Sequence, residues 1–250
     1  VTSIAMFYDL SDPNSFVEDV KQILAPDGIW VIQFTDLYSM LKINAIDNIC
    51  GEHLEYYKLW DLIYLLKLHG LKIFDCEYNM VNGGSLRVYA CHEDNQIFSE
   101  ETDRFFEAIR RENEYFNSGN QMELFKRRIS EIKEKTCSFI DLVNDGERKI
   151  YALAASTKAN TLLQTFGLSN NDIVAIGEIN KEKYGLITSG SRIPIISEKE
   201  LFAAKPNLIV VLAWHFTETF NKVTEKFIDS GGYVLYPLPL PYVIHKEGNF

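Results

Sequence analysis

The sequence predicts an α/β protein made of two successive units, a doubly wound sheet and then a smaller α/β unit. Three observations carry this expectation. Apolar runs alternate with helix-spaced apolar residues between residues 4 and 91. A polar stretch at residues 92–99 and two long charge-rich segments interrupt that rhythm. It restarts at Lys149 and continues through short connections to Leu238. The expected divisions are 1–92 for the first unit, 93–146 for a helical linker region and 147–250 for the second.

Residues 4–7 read as a short buried strand. Ser11-Asp12-Pro13 then supplies a cap and a first-turn proline. Phe16, Val17, Val20, Ile23 and Leu24 follow at helical spacing, which predicts a helix over 14–24. After the Pro26-Asp27-Gly28 turn, residues 29–34 form an apolar run of the kind a parallel strand shows when covered on both faces. Residues 36–42 fit a short helix. Residues 59–69 are strongly helical, with Leu62, Ile63, Leu65, Leu66 and Leu68 expected inside and Gly70 as the stop. Residues 71–78 and 85–91 flank Asn82-Gly83-Gly84, which predicts two strands around a tight turn. A pure dinucleotide-binding fold ends on a parallel strand. The sheet of S-adenosylmethionine-dependent methyltransferases ends instead with an antiparallel one, as this closing hairpin does.

Residues 101–117 and 122–143 predict two long helices, with apolar stripes at Phe105, Phe106, Ile109 and at Leu124, Phe125, Ile129, Ile132. Their charges read as solvated faces. Strands at 149–154, 173–178, 208–213 and 233–238 then alternate with helices at 158–166, 198–204 and 217–229, a parallel α/β pattern.

Bulk properties narrow the function. At 46% hydrophobic and 24% charged, the 250 residues have ample material for a core. A formal charge of −10 argues against nucleic acid or an anionic membrane as partner, while leaving room for a local basic pocket around a phosphorylated small molecule. No apolar run approaches the roughly 18–20 residues of a membrane span. No basic segment precedes the first apolar run, as a signal peptide requires. Cys50, Cys76, Cys91 and Cys137 are widely spaced and form no C-x-x-C pair. They read as reduced thiols of a cytoplasmic protein, not as a disulfide framework or a metal site. The chain opens on Val1-Thr2-Ser3-Ile4-Ala5-Met6-Phe7, a buried-strand pattern with no initiator Met or lead-in. That opening suggests a piece of a longer protein, whose upstream region would be its own partner.

The densest chemistry lies in residues 47–57, which hold Asp47, Cys50, Glu52, His53, Glu55, Tyr56 and Tyr57. Asn48 and Gly51 break any helical run before His53, so Glu52 and His53 fall on a loop between rigid elements, where reactive side chains usually sit. His53 is the natural general base, because its ordinary pKa lies near neutrality. Glu52 or Glu55 can fix its tautomer, and Tyr56 or Tyr57 can donate a hydrogen bond to a developing oxyanion. The competing reading is a polar helix start favoured by the helix dipole, with His53 incidental.

A second candidate is the turn Ala154-Ala155-Ser156-Thr157-Lys158-Ala159-Asn160-Thr161, which follows a strand and opens a helix. Small residues there let backbone N–H groups approach a phosphate, and Lys158 adds a charge. The turn lacks the glycines of a dinucleotide fingerprint or a P-loop, and Ser156 or Thr157 as a simple N-cap explains it as well. Arg192, in a Gly/Ser loop, is able to grip a phosphate with two bonds. Trp214 and His215 follow a strand end, where α/β sheets bind ligands, although a lone His there is more often structural. Asn82 is first of all a turn residue. His69, His92 and His245 belong to no visible constellation.

Five stretches occur in an order that resembles a known family. They are residues 2–10 with Asp12-Pro13, residues 47–57, Val81-Asn82-Gly83-Gly84-Ser85-Leu86-Arg87-Val88-Tyr89, Ala155-Ser156-Thr157-Lys158-Ala159-Asn160-Thr161, and Gly231-Gly232 with Pro237-Leu238-Pro239. Together they resemble the sugar C-methyltransferases of deoxysugar biosynthesis, across essentially the whole chain. These enzymes act on a nucleotide-linked 4-keto-6-deoxyhexose, typically with dTDP. They have an N-terminal zinc-binding domain, a central S-adenosylmethionine domain and a C-terminal Rossmann-like domain. The resemblance implies that this chain is the second half of the central domain plus the C-terminal one. The zinc cysteines and the glycine-rich cofactor loop would then lie upstream, and the chain alone is expected to be inactive.

S-adenosylmethionine is the implied cofactor, contacted here by Ala5, Met6 and Phe7, and a nucleotide sugar is the implied substrate. The family's Glu-His pair falls on Glu52 and His53. Gly51 stands at the first histidine of its His-Glu-His segment, Cys50 where many members have Tyr, and Tyr8-Asp9 near a histidine that some members carry. These departures leave open which carbon is methylated and how the keto oxygen is held. In the implied mechanism His53 removes a proton next to the C4 ketone, the enolate takes the methyl group, and Glu52 orients His53. Tyr56 or Asn82 would hold the sugar, with Ser156, Thr157, Lys158, Asn160 and Arg192 toward the nucleotide. Two other classes remain: a nucleotide-dependent oxidoreductase or epimerase, against which the missing fingerprint stands, and a non-catalytic sugar-nucleotide binding module.

Overall fold

The computed structural model describes residues 1–144 and 149–249, and the boundary expected between residues 146 and 147 lies outside them. Two compact units are present, Val1–Ile43 with Gly51–Leu124, and Asn44–Cys50 with Phe125–Phe250. The chemistry-rich stretch 47–57 is therefore divided, with Asp47 counted in the second unit and Glu52 and His53 in the first.

The first unit runs β1 (Thr2–Ile4), α1 (Pro13–Ile23), β2 (Trp30–Phe34), α2 (Leu37–Lys42), α3 (Leu59–Leu68), β3 (Leu71–Asn79), β4 (Ser85–His92) and α4 (Asp103–Asn117). Its sheet has the order β1-β2-β4-β3. β1 and β2 are parallel, while β4 is antiparallel to both β2 and β3. The closing hairpin thus inserts its last strand beside β2, so β2 has only one parallel neighbour, not two.

The opening strand is shorter and earlier than the expected 4–7. Ala5 adopts a left-handed φ of 53° and ends the ladder, and Phe7–Asp9 form a 3-10 turn. Phe7 is fully buried and packs against Phe16, Trp30, Phe34 and Tyr57. Asp12 caps α1 by accepting the Ser15 N–H at 3.0 Å, with Pro13 in the first turn. Val17, Val20 and Leu24 form its buried face, and Ile23, one position off that spacing, is exposed. On α3, Leu59, Leu62, Leu65 and Leu66 point inward, whereas Leu68 is exposed because it falls outside the i, i+3, i+7 stripe. Leu59, Leu62 and Leu66 are fully buried, each worth about 1.5–3 kcal/mol. α4 buries Phe105, Ala108 and Glu112, so one of its carboxylates lies inside a face expected to be solvated, and Phe106 points outward.

The second unit contains most of α5 (Gln121–Val143), then β5 (Ile150–Leu153), α6 (Thr157–Phe166), β6 (Ile176–Glu178), β7 (Ile195–Ser197), α7 (Glu198–Ala203), β8 (Leu208–Val211), α8 (Thr217–Asp229), β9 (Tyr233–Tyr236), β10 (Tyr242–His245) and β11 (Gly248–Asn249). The sheet order is β11-β10-β9-β8-β5-β6-β7. It is parallel from β9 to β7, but β10 and β11 add antiparallel strands, so the sheet is mixed and not the parallel one expected. β5 and β8, the central neighbours, are buried at every position. The chain leaves β5 toward β6 on one side and returns through β8 on the other, which places a topological switch point at their C-terminal ends. Among the described residues, no helix is long and apolar enough to cross a membrane, and none of the four cysteines is in a disulfide.

Candidate active site

In the first unit, residues 51–58 form an irregular loop between Cys50 and α3. The loop is fastened in its middle and at its end. In the middle, the carbonyl of Tyr8 accepts the N–H groups of Leu54 and Glu55 at 2.9 and 3.1 Å. Toward the end, the Leu37 N–H donates to the carbonyl of Tyr57 at 2.9 Å, and the Tyr57 ring packs on Phe7 and Phe34. The Lys58 N–H donates to Asp61 at 2.8 Å, closing the first turn of α3. His53, immediately before the first of these fastenings, is half-buried, its ring centroid 4.1 Å from that of Tyr8 at an interplanar angle of 43°.

Glu52 and Glu55 are exposed and Tyr56 is half-buried, whereas Tyr57 is in the core. Burial pushes the Tyr57 hydroxyl up to about 12, with the Glu55 and Asp61 charges adding to it. Of the two phenols, Tyr56 is therefore the one placed for a ligand. Asp9 is exposed. Partial desolvation raises its pKa, His53 acts against that and Glu52 adds to it, so these three groups share one electrostatic neighbourhood. Asp9 and the Tyr8 ring were not assigned roles from sequence. Their signal is position, since they follow the C-terminal end of β1, the edge where such sheets bind ligands.

Of the expected cofactor contacts, Ala5 is exposed and Met6 half-buried at that same edge, which fits a small-molecule contact. Phe7 does not fit, because its side chain is enclosed by four aromatic rings and only its backbone remains available. Asn82 is half-buried at the hairpin tip and holds a left-handed φ of 54°. Around it the Asn79 carboxamide oxygen accepts the Val81 N–H at 3.0 Å, and the Ser85 hydroxyl donates to the Val81 carbonyl at 2.8 Å.

In the second unit, Ser156 is the N-cap of α6 and accepts the Ala159 N–H at 3.1 Å. Thr157 is exposed, while Lys158 and Asn160 are half-buried. Asp47 is fully buried and accepts from Trp214 Nε1 at 3.0 Å. Burial raises its pKa, and the Lys158 charge and the Trp214 bond oppose that. Burial and the same Lys158 charge push His215 down to about 4. Lys158, Asp47, Trp214 and His215 are thus gathered at the switch point, a grouping that sequence spacing could not reveal. Arg192 is placed elsewhere. It is exposed with φ 58° in a loop whose Ser189 carbonyl accepts from Gln164, near the C-terminal end of α6. The seven positions from Thr157 to Gln164 separate it from the Ser156 turn by about 10 Å along the helix.

A family profile described as the C-methyltransferase C-terminal domain matches residues 80–239. The C-methyltransferase NovU of Streptomyces niveus is 30% identical over 249 residues, which is 97% of this chain and 58% of the relative. The chain therefore spans a little over half the length of that curated relative.

Proposed function

The chain belongs to the C-methyltransferase family, and we propose that it supplies the proton-removing and sugar-holding groups of an S-adenosylmethionine-dependent enzyme. The substrate in this reading is a nucleotide-linked 4-keto-6-deoxy sugar, dTDP-linked or similar, methylated on a carbon next to the C4 ketone. The observation that carries it is His53, packed against Tyr8 just before the loop is fastened to the Tyr8 carbonyl, after the C-terminal end of β1.

Neutral His53 takes the proton from the carbon beside the ketone, and the C–H electron pair becomes the enolate, with charge on the C4 oxygen. Tyr56 donates a hydrogen bond to that oxygen, which strengthens as the charge develops. The negative charges of Glu52 and Asp9 favour the imidazolium that results. When bound, S-adenosylmethionine supplies the electrophilic methyl group that the enolate carbon takes. Ala5 and Met6 lie where this chain would touch it. Asn82 offers a polar contact to the sugar. Ser156, Thr157, Lys158 and Asn160 hold the diphosphate at the start of α6, where N–H groups and one cation favour an anion. Arg192 is not part of this grip.

The test uses the full-length protein and a dTDP-linked 4-keto-6-deoxyhexose in heavy water, with and without S-adenosylmethionine. Deuterium should enter the carbon next to the ketone without the cofactor, and a methyl group should enter with it. Neither exchange nor transfer on any 4-keto sugar nucleotide would refute the proposal.

A further inference from the structure

The backbone and the core place the Tyr8 ring. β1 stops at the left-handed Ala5, the turn Phe7–Asp9 follows, and fully buried Phe7 anchors that turn in the core. Tyr8 is itself 7% exposed, so its ring has little freedom. Its carbonyl takes the N–H groups of Leu54 and Glu55, the two residues after His53, and this sets the height of the loop over the turn. With that height set, the Tyr8 ring lies against the imidazole at 4.1 Å between centroids.

From this arrangement we infer that Tyr8 is the positioning residue for His53: its ring fixes the imidazole plane and stabilises the imidazolium once the proton has moved. The inference rests on the reading of His53 as the base. An aromatic face attracts a cation more strongly than a neutral ring. The contact is therefore stronger after proton transfer than before, and such a difference lowers a barrier where equal binding would not. The inference concerns the ring face of Tyr8, which acts on the reaction through His53.

The experiment compares Tyr8→Phe and Tyr8→Leu in the full-length enzyme. Phenylalanine keeps the ring and should keep kcat within about twofold, since only the hydroxyl is lost. Leucine keeps the apolar cover but removes the aromatic face. Its kcat should fall about 5–10-fold with KM nearly unchanged. The acidic limb of its kcat–pH profile should move down by about half a unit. A merely structural role would not move that limb. If the leucine variant does not fold, Tyr8→Met gives the same comparison. The His53 ring titration, followed by NMR in whichever variants fold, should be lower without the aromatic face. Unchanged kcat and pH profile in Tyr8→Leu, or an equal loss in Tyr8→Phe, would overturn the inference. The two readings fail separately. If His53→Asn stops turnover while Tyr8→Leu changes nothing, only the role of Tyr8 is wrong. If His53→Asn leaves turnover intact, the base assignment fails and the role of Tyr8 falls with it.

Discussion

Glu112 on α4 accepts the backbone N–H of Leu59 at 2.8 Å and that of Trp60 at 3.4 Å, and so caps α3 from a neighbouring helix. That cap holds the end of the loop that carries His53. The Glu112 side chain is buried, and burial pushes its carboxyl up from 4.5 to about 7, with the Leu59 bond opposing the rise. A raised carboxyl pKa means the folded state holds the proton more tightly than the unfolded chain. This contribution to stability is therefore complete below about pH 4.5 and is lost as pH rises through about 7. Glu112→Gln keeps a carbonyl acceptor and removes the titration. Between pH 5 and pH 8 the wild type should lose on the order of 2 kcal/mol more stability than the variant. Asp36, pushed up to about 6 by burial, titrates in both proteins, and because its charge also raises Glu112 the comparison reads the two carboxyls together. A Tm gap that does not change with pH would contradict this account of Glu112.

The start of α6 makes two separable predictions. Ser156→Ala removes the cap on Ala159 and should cost about 1 kcal/mol of stability, read as a lower Tm. Lys158→Ala should raise KM for the sugar nucleotide with kcat nearly intact, the pattern of lost uniform binding. The effect should be on the order of 1.5–3 kcal/mol, as for a hydrogen bond to a charged group. Because the Lys158 charge also favours ionised Asp47, this variant should melt lower too. A lower Tm with unchanged KM would leave Lys158 as nothing more than the counter-ion of Asp47.

Gly84 closes the hairpin tip beside Asn82 with φ 122°, and a Cβ there would meet Ile43 Cδ1 at 2.8 Å. The Ile43 side-chain end can move, but the backbone conformation cannot suit alanine. Gly84→Ala should therefore destabilise the first unit by about 1–3 kcal/mol in thermal or urea unfolding. A variant as stable as the parent would show that the hairpin tip is freer than this geometry implies.

Much of the fold was legible because it depends on local periodicity. The helices at α1, α3, α6 and α8 announce themselves by apolar spacing, caps and stops such as Asp12, Ser156 and Gly70. The antiparallel closing hairpin was readable from the Asn82-Gly83-Gly84 turn. What escaped depends on contacts distant in sequence or on very short elements. β7 has three residues and β11 two, too few for a period to show. In the run Arg110-Arg111-Glu112-Asn113-Glu114 nothing in composition distinguishes the buried carboxylate from the exposed one. Only its place seven residues after Phe105 and four after Ala108, on their stripe, could have done so. Likewise the sequence gives Asp47 no partner of its own within residues 47–57, and in the structure it accepts from Trp214, 167 positions away. His53 on its loop was readable from sequence. The Tyr8 ring against it was not, since forty-five positions separate them.

The central claim is that His53 is the base of a methyl transfer to a 4-keto sugar nucleotide. The most direct measurement is the rate of methyl transfer from S-adenosylmethionine by full-length wild type and His53→Asn under saturating substrates. The account predicts a fall of at least about a hundredfold, the lower edge of general-base effects, with some activity remaining from orientation and oxyanion contacts. Near-normal transfer by His53→Asn, in a variant that folds and binds the sugar nucleotide, would contradict it.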